Sequence, residues 1–201
     1  MSVRQAGGYA KFKTGILRRL LRHPLAAVAM HWAFQSLFYM DRTERRFKLL
    51  LDVTLGVAGM ALLSIWCSWP IAWTLAFLAA HTLNFLFNGH LWGALKHYGL
   101  VSVSYEAFSS YAQGFGARAR RETSIRRVAI YGSLARHCWS TSSDLDVRLV
   151  RKPGLINGAR ACWFVLRERS RALIARFPLD AYVLDDERSL QKLSTEEEPI
   201  E

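Results

Sequence analysis

The sequence predicts an α+β protein, in which a small mixed sheet with flanking helices is preceded by an α-helical membrane region. Two long apolar stretches adjoin in the first half of the chain, and strand patterns alternate with helix patterns in the second half. The charge is divided in the same way. Residues 1–48 hold ten Lys and Arg against two acids, residues 49–117 one against two, and residues 118–201 sixteen against twelve. We therefore interpret the net charge of +11 first as membrane topology.

The cysteines argue against a disulfide framework and against a zinc site. Cys67, Cys138 and Cys162 are odd in number, far apart and without CxxC or Cys/His ligand spacing. A reducing compartment is expected for such a chain. The first residues lack the apolar core and the cleavage site of a secretory signal peptide, so none is expected.

Residues 1–48 are predicted to form a basic amphipathic, interfacial helical segment. A basic stretch precedes an apolar run over residues 24–40, which is short for a membrane span. We expect a helix that lies in the cytoplasmic interface, with Arg18, Arg19 and Arg22 near anionic lipid headgroups. A third span, or a helix packed on the other helices, is the alternative for this run.

Residues 49–92 are predicted to form a two-span transmembrane helical hairpin. The segments 49–69 and 70–92 each have about the twenty residues with which an α-helix crosses a hydrocarbon core of roughly 30 Å. Tryptophans around Pro70 suit a tight turn at a membrane interface. Basic residues on both sides of the hairpin predict an integral membrane protein with both termini in the cytoplasm. Buried helices of a soluble bundle are the alternative.

The second half of the chain has the pattern of a small folded domain. We predict a linking helix within residues 93–124, a domain over residues 125–190 and an acidic mobile tail over residues 191–201. Within the domain the pattern predicts strands over residues 126–132, 144–150 and 179–184, a loop around residues 153–158 and a helix over residues 159–177.

Carboxylates and a Gly-Ser pair form the candidate site. In an extended strand alternate side chains share a face, so Asp144 and Asp146 are expected to point the same way. Two adjacent carboxylates repel each other unless a cation neutralises them, and Mg²⁺ prefers such oxygen ligands. Gly132 and Ser133 follow a strand and open a turn whose N–H groups can hold a phosphate. A third carboxylate, Asp180, begins a later strand.

The ordered pattern "VAIYGS", ten residues, "SDLDV" and later "PLDAYV" resembles the nucleotidyltransferases of the DNA polymerase β superfamily, over about residues 120–185. The resemblance implies a palm-like mixed sheet and an enzyme that uses an NTP with two Mg²⁺ ions. Gly132 and Ser133 would bind the β- and γ-phosphates, and Asp144 and Asp146 would hold the metal ions. Asp180 would share one metal and help to deprotonate the acceptor. Surface aspartates beside an ordinary turn are the alternative.

The implied reaction is in-line attack of an acceptor hydroxyl on the α-phosphorus of the NTP, with pyrophosphate leaving. Two residues depart from the family pattern. His137 stands where similar members have Gly, and Arg148 lies on the Asp146 face where they have an apolar residue. Arg148 would pair with a substrate phosphate, or it would occupy the place of the cation in an inactive member. Arg136 would also lie near the nucleotide phosphates.

Polar residues in the hairpin have two interpretations. His81, Asn84 and Asn88 form a stripe on the second span, and Asp52 lies on the first. Asp52, Asn88 and His90 are a possible membrane headgroup site, because polar groups at membrane depth often mark function. Hydrogen bonds between helices are the alternative.

Small residues of the first span are consistent with a homo-oligomer. Gly56, Ala58 and Gly59 would allow close contact between helices.

The sequence therefore predicts a membrane-anchored nucleotidyltransferase whose catalytic domain faces the cytoplasm. A lipid bilayer, an NTP and a membrane-bound, lipid-linked or protein acceptor are the expected partners. Nucleic acid is not favoured, because the arginines of the helix at 159–177 spread around it without an aromatic-lined groove. The alternatives are a catalytically degenerate membrane subunit that binds nucleotide or a partner, and a soluble toxin-neutralising modifier of a partner protein.

Overall fold

The chain folds into a helical hairpin packed against a three-stranded sheet. The computed structural model describes residues 23–191 and residue 200. The elements are α1 (Pro24–Phe34), α2 (Arg42–Leu63), α3 (Trp69–Asn88), α4 (Leu91–Leu95), a 3₁₀ turn (Lys96–Tyr98), α5 (Tyr105–Arg121), β1 (Ile125–Tyr131), β2 (Leu145–Arg151), α6 (Leu155–Ile174), β3 (Leu179–Leu184) and α7 (Arg188–Gln191). The predicted α+β class is confirmed.

The sheet has the order β1-β2-β3, with β1 antiparallel to β2 and β2 parallel to β3. Helix α6 connects the two parallel strands. The side chains of Leu145, Val147 and Leu149 are fully buried in one core with α5 and α6. Alternation along β2 therefore turns Asp146 and Arg148 to the opposite face, as the sequence predicts.

Helix α6 begins at Leu155, so the predicted loop at residues 153–158 is wrong over most of its length. Gly158 explains the difference. A Cβ added there would lie 2.8 Å from the Cγ2 atom of Thr43, so glycine lets α6 approach α2 closely. Asn and Gly predict a loop by propensity, and this tertiary contact overrides that preference.

Helix α1 covers only the first part of the apolar run at residues 24–40. Gln35 and Ser36 adopt left-handed φ angles of 46° and 59° and end the helix. The buried Gln35 amide donates a hydrogen bond of 2.9 Å to the carbonyl oxygen of His81 on α3. A helix of 11 residues rises about 16 Å, roughly half of a hydrocarbon core. The alternative of a third span is therefore wrong for this run, and Arg18, Arg19 and Arg22 lie outside the described residues.

Helices α2 and α3 form the predicted hairpin, with different bounds. Helix α2 starts after Asp41, as expected, but it ends at Leu63. Pro70 lies in the first turn of α3. Among the helices that the structure describes, only α3 is long and apolar enough to cross a membrane, with a mean hydropathy of 1.4; this rests on length and composition alone. Helix α2 does not meet this criterion, because its first half carries charged residues.

Small residues of α2 pack against α3 of the same chain. A Cβ added to Gly59 would lie 3.4 Å from the Cβ of Ala76, and one added to Gly56 would lie 4.0 Å from that of Ala80. These glycines serve the hairpin itself, so they give no support to the predicted homo-oligomer.

The free edge of β3 is closed by charged side chains of the helices. The Glu44 carboxylate on α2 accepts a hydrogen bond of 2.7 Å from the Val183 N–H. The Arg169 guanidinium on α6 donates one of 2.5 Å to the Ala181 carbonyl oxygen and one of 2.5 Å to Glu44. Both side chains are at most 2% exposed. The two side chains therefore hydrogen-bond to backbone groups at an edge that would otherwise be open to other strands.

Further hydrogen bonds connect the Glu44–Arg169 pair to the rest of the hairpin. The Lys48 ammonium donates one of 2.6 Å to the Asn88 carbonyl oxygen, and Arg169 donates one of 2.8 Å to the Asn88 side chain. Asp41 makes no helix cap with its side chain; it accepts a hydrogen bond of 2.8 Å from the Asp185 N–H instead. The hairpin is therefore fixed to the sheet by polar contacts at one of its ends.

The acidic tail lies largely outside the described residues. Ile200 is described, and its backbone exchanges hydrogen bonds of 2.9 and 3.0 Å with Ile130 on β1. At this position the chain is paired rather than mobile in solvent as predicted.

Candidate active site

The structure brings together the three aspartates that the sequence singles out. Asp146 on β2 is the direct register partner of Asp180 on β3, and their side chains are hydrogen-bonded to each other. Asp144 immediately precedes β2, and its charge acts on Asp146. Parallel pairing of β2 and β3 thus places the later aspartate on the same face as the earlier pair.

The carboxyl groups of Asp146 and Asp180 differ in pKa. Burial, followed by the charges of Asp144 and Asp180, raises the pKa of Asp146 to about 8. Burial alone would also raise the pKa of Asp180, but Arg148 and His90 hold it well below its usual range. Asp146 is therefore the weaker acid of the pair and Asp180 the stronger.

Two permanent cations contact the carboxylates. Arg148 lies 3.3 Å from the Asp180 carboxylate, and it donates hydrogen bonds to the carbonyl oxygens of Asp180 and Val147, at 2.9 and 3.0 Å. The ammonium of Lys96, in the 3₁₀ turn, forms an ion pair with Asp144. Arg148 therefore makes an ion pair with Asp180, and its role toward a substrate phosphate stays a prediction.

The Gly132–Ser133 pair forms a turn against the carboxylates. Gly132 has a left-handed φ of 76°, and an added Cβ would overlap the Oδ2 atom of Asp146. Helical hydrogen bonds follow, from the Arg136 N–H to the Gly132 carbonyl oxygen and from the Cys138 N–H to that of Ser133. The Ser133 hydroxyl is buried and has no hydrogen-bond partner within the described part of the chain. An orphaned hydroxyl beside a helical turn fits an anion-binding position.

His137 lies at the end of this turn. It adopts a left-handed φ of 52°, a conformation that glycine adopts without steric cost. The Arg136 side chain is exposed on the same turn.

His90 reaches the site from the end of the hairpin. Its Nδ1 atom lies 3.0 Å from the Asp180 carboxylate and 3.2 Å from the Leu179 carbonyl oxygen. The ring stacks on Tyr182 at a centroid distance of 4.9 Å. Because α3 ends at Asn88, this residue lies beyond the apolar helix. Burial, then the charge of Arg169, lowers the pKa of His90.

Two of the three headgroup candidates lie in one hydrogen-bond chain. Asp52 contacts His81 at 2.9 Å and accepts a hydrogen bond of 2.8 Å from Asn84, and the Asn88 amide donates one of 3.3 Å to the Asn84 side chain. His90 bonds to β3 instead. The polar stripe on α3 thus makes hydrogen bonds between helices, which was the alternative interpretation, and a headgroup at Asp52, Asn88 and His90 stays a prediction.

Donor chemistry at the site fits a divalent cation. Carboxylate oxygens are the ligands that Mg²⁺ prefers. Three carboxylates face only two permanent cations there. Among the described residues, no group of three or more His, Cys, Asp or Glu side chains is arranged as a metal cluster. A bound cation would therefore replace Lys96 as the partner of Asp144 and Arg148 as the partner of Asp180.

A cavity of about 950 Å³ lies apart from the aspartates. It opens between α5 and β1. Phe108 of α5 and Val128 and Ile130 of β1 are among the residues that line it. Leu134, next to the Gly-Ser pair, marks its nearest approach to the site.

Sequence reasoning missed several site partners. The sequence assigned no specific partner to Glu44 or Arg169; both are buried at the edge of β3. Lys96 had a signal that could have been used, because it is the only Lys or Arg within residues 49–117. A lone cation in an uncharged stretch indicates a specific partner, here Asp144.

Comparison with known proteins leaves the family of the chain open: no protein-family model, no curated protein and no solved structure matches it.

Proposed function

We propose that the chain is a membrane-anchored nucleotidyltransferase, which transfers a nucleotidyl group from an NTP to a hydroxyl acceptor and releases pyrophosphate. One observation carries the proposal: Asp144, Asp146 and Asp180 converge beside the Gly132–Ser133 turn. The pairing of a carboxylate cluster with a phosphate-sized anion position is the arrangement that nucleotidyl transfer requires.

The turn would bind the phosphates of the nucleotide. The first N–H groups of a helical turn lack acceptors within it, and the Ser133 hydroxyl adds a buried donor. Arg148 would contact a phosphate after leaving Asp180, because a guanidinium binds phosphate and carboxylate oxygens in the same manner. Gly132 keeps this turn close to Asp146.

Asp144, Asp146 and Asp180 would hold Mg²⁺, with two ions expected. When bound, the ions would supply charge stabilisation for the attacking and leaving oxygens. Asp180 is ionised through Arg148 and His90, so it can accept a hydrogen bond from the acceptor hydroxyl and orient it. Burial and the neighbouring carboxylates raise the pKa of Asp146, so binding of a cation there would release a proton.

The exposed surface of the hairpin supports the membrane assignment. Only 28% of the apolar window of α3 is buried, which is little for the core helix of a soluble protein. Large apolar side chains are exposed along both helices and their turn, at Leu50, Val53, Val57, Leu62, Ile65, Trp66, Trp69, Ile71, Leu75 and Phe77. Lipid would cover this surface, with both termini and the site in the cytoplasm and a membrane-bound or lipid-linked acceptor.

A second candidate is a degenerate subunit that binds a nucleotide or a partner without turnover. The ion pairs of Arg148 with Asp180 and of Lys96 with Asp144 favour it, because they satisfy carboxylates that a cation would otherwise hold.

Pyrophosphate release separates the two candidates. The full chain in lipid nanodiscs would be incubated with each NTP and Mg²⁺, with water standing in for the unknown acceptor and membrane lipid extract added in parallel. The proposal expects Mg²⁺-dependent release that falls at least 100-fold in Asp146→Asn. The matched control is Asp186→Asn, because Asp186 is an acidic residue beyond the site, and it should keep wild-type rates. Nucleotide binding without release in any condition would support the degenerate subunit and contradict the enzyme.

A further inference from the structure

His90 connects the end of the hairpin to the candidate catalytic carboxylate. It is the second residue after α3, and Gly89 between them makes a close approach to the Phe85 carbonyl oxygen that an added Cβ would block. The chain turns there and directs the imidazole into the edge of β3. The hairpin thereby contributes a side chain to a site that is otherwise built from the sheet, the Gly-Ser turn and the 3₁₀ turn.

The contacts of His90 fix which ring nitrogen carries the proton. The Leu179 carbonyl oxygen can only accept, so the Nδ1 atom must donate, and the same N–H is shared with the Asp180 carboxylate. The Nε2 atom is buried, with no hydrogen-bond partner among the residues that the structure describes. The ring therefore acts on the site through its Nδ1–H.

A ring N–H donor differs from the two permanent cations at the site in one respect. Arg148 and Lys96 compensate negative charge, whereas the His90 N–H orients the Asp180 carboxylate and leaves its charge available. Stacking on Tyr182 holds the ring in this orientation. Such outer partners are known to set the geometry and affinity of metal-ligating carboxylates.

We propose that His90 is a positioning residue, through which the membrane hairpin holds the Asp180 carboxylate in the orientation for binding a divalent cation. The inference rests on the proposed function. It adds that the site is incomplete without the hairpin, because the N–H that orients Asp180 belongs to the segment directly following α3.

Two substitutions separate the hydrogen bond from the packing. His90→Phe keeps a ring that can stack on Tyr182 but has no N–H. His90→Asn loses the ring but places an amide N–H near the position of Nδ1. The matched control is His81→Phe, because His81 makes an equivalent contact of 2.9 Å with Asp52, within the hairpin and away from the site.

Binding of Mn²⁺, a spectroscopic substitute for Mg²⁺, would be measured by electron paramagnetic resonance on the full chain in nanodiscs, without nucleotide. We expect His90→Phe to weaken Mn²⁺ binding roughly 10- to 100-fold, and His90→Asn to restore it to within about fivefold of wild type by the same outer-ligand argument. His81→Phe should bind as the wild type does. The thermal unfolding midpoint of each variant would accompany the titration.

The outcomes distinguish the inference from the function on which it rests. Wild-type binding that is lost in Asp146→Asn but unchanged in His90→Phe overturns the role of His90 alone. Equal weakening in His90→Phe and His90→Asn also overturns it, because the N–H would then be irrelevant. Failure of the wild type to bind Mn²⁺ overturns the proposed function and the inference together.

Discussion

The two ends of the helical hairpin differ in what they bury and what they expose. At the turn between α2 and α3, Ile65, Trp66 and Trp69 are between 64% and 73% exposed. At the opposite end, Glu44 and Lys48 are at most 2% exposed. Within the described residues, the same two helices therefore have an apolar end that is exposed and an opposite end at which Glu44 and Lys48 are covered by protein.

The difference shows what each end requires from its surroundings. Buried charges are tolerated only with hydrogen-bonding partners, and at the sheet end β3, α6 and Asn88 supply them for most of the charged atoms; the Nε atom of Arg169 has none within the described part of the chain. Exposed apolar side chains need no partner of defined geometry, because a lipid phase can cover them. The sheet end should therefore be sensitive to single substitutions, and the turn end should tolerate them.

The largest effect is expected from Arg169→Met, which leaves Glu44 as a buried charge without its partner. The free energy of unfolding should fall by about 3–5 kcal/mol, measured by denaturant titration in detergent. Arg167→Met is the matched control, because Arg167 is exposed on the same helix. If both variants lose the same stability, the buried pair does not hold the sheet end.

A smaller effect is expected from Gly132→Ala. The left-handed φ of 76° and the overlap with Asp146 should cost about 1–3 kcal/mol in the same titration and abolish nucleotide binding. Gly99→Ala is the control, because its φ of 70° is equally left-handed but no atom lies within 4 Å of the added Cβ. Equal losses of nucleotide binding in the two variants would exclude the close approach to Asp146 as the cause.

The pH dependence of stability should reflect the Asp146 carboxyl group. Its pKa is raised from 3.8 to about 8 on folding, so the folded chain binds more protons than the unfolded chain between these values. This contribution to stability is present at low pH and is lost as the pH rises through that window. In metal-free buffer the slope should be steeper for the wild type than for Asp146→Asn. Identical slopes would mean that Asp146 titrates normally.

The smallest effect is expected at the turn end, from Trp66→Ala. Because this side chain is 73% exposed, the free energy of unfolding in detergent should change by less than about 0.5 kcal/mol. Quenching of tryptophan fluorescence by brominated lipid should decrease in this variant if Trp66 lies in the bilayer. A large loss of stability in detergent would place the turn in a protein interface instead.

Local patterns predicted much of the sheet and of the site. Strand periodicity predicted the burial of Val147 and the opposite orientation of Asp146, and the motif order predicted that Asp180 would join it. The pair of Glu44 and Arg169 was not predictable, because the residues are 125 positions apart and each has the pattern of an ordinary charged residue on a helix. The contacts of His90 with Asp180 and of Lys96 with Asp144 were also missed, although Lys96 stood out as the one cation of residues 49–117. Their partners are set by the docking of the hairpin, which no local period encodes.

Calorimetric titration with a non-hydrolysable NTP tests the central claim most directly, because it asks whether the carboxylates and the Gly-Ser turn act as one site. The account predicts that the full chain in nanodiscs binds one nucleotide with Mg²⁺, that EDTA or Asp146→Asn abolishes the binding, and that Ser133→Ala weakens it. Binding of equal strength in EDTA, in Asp146→Asn and in Ser133→Ala would contradict the account.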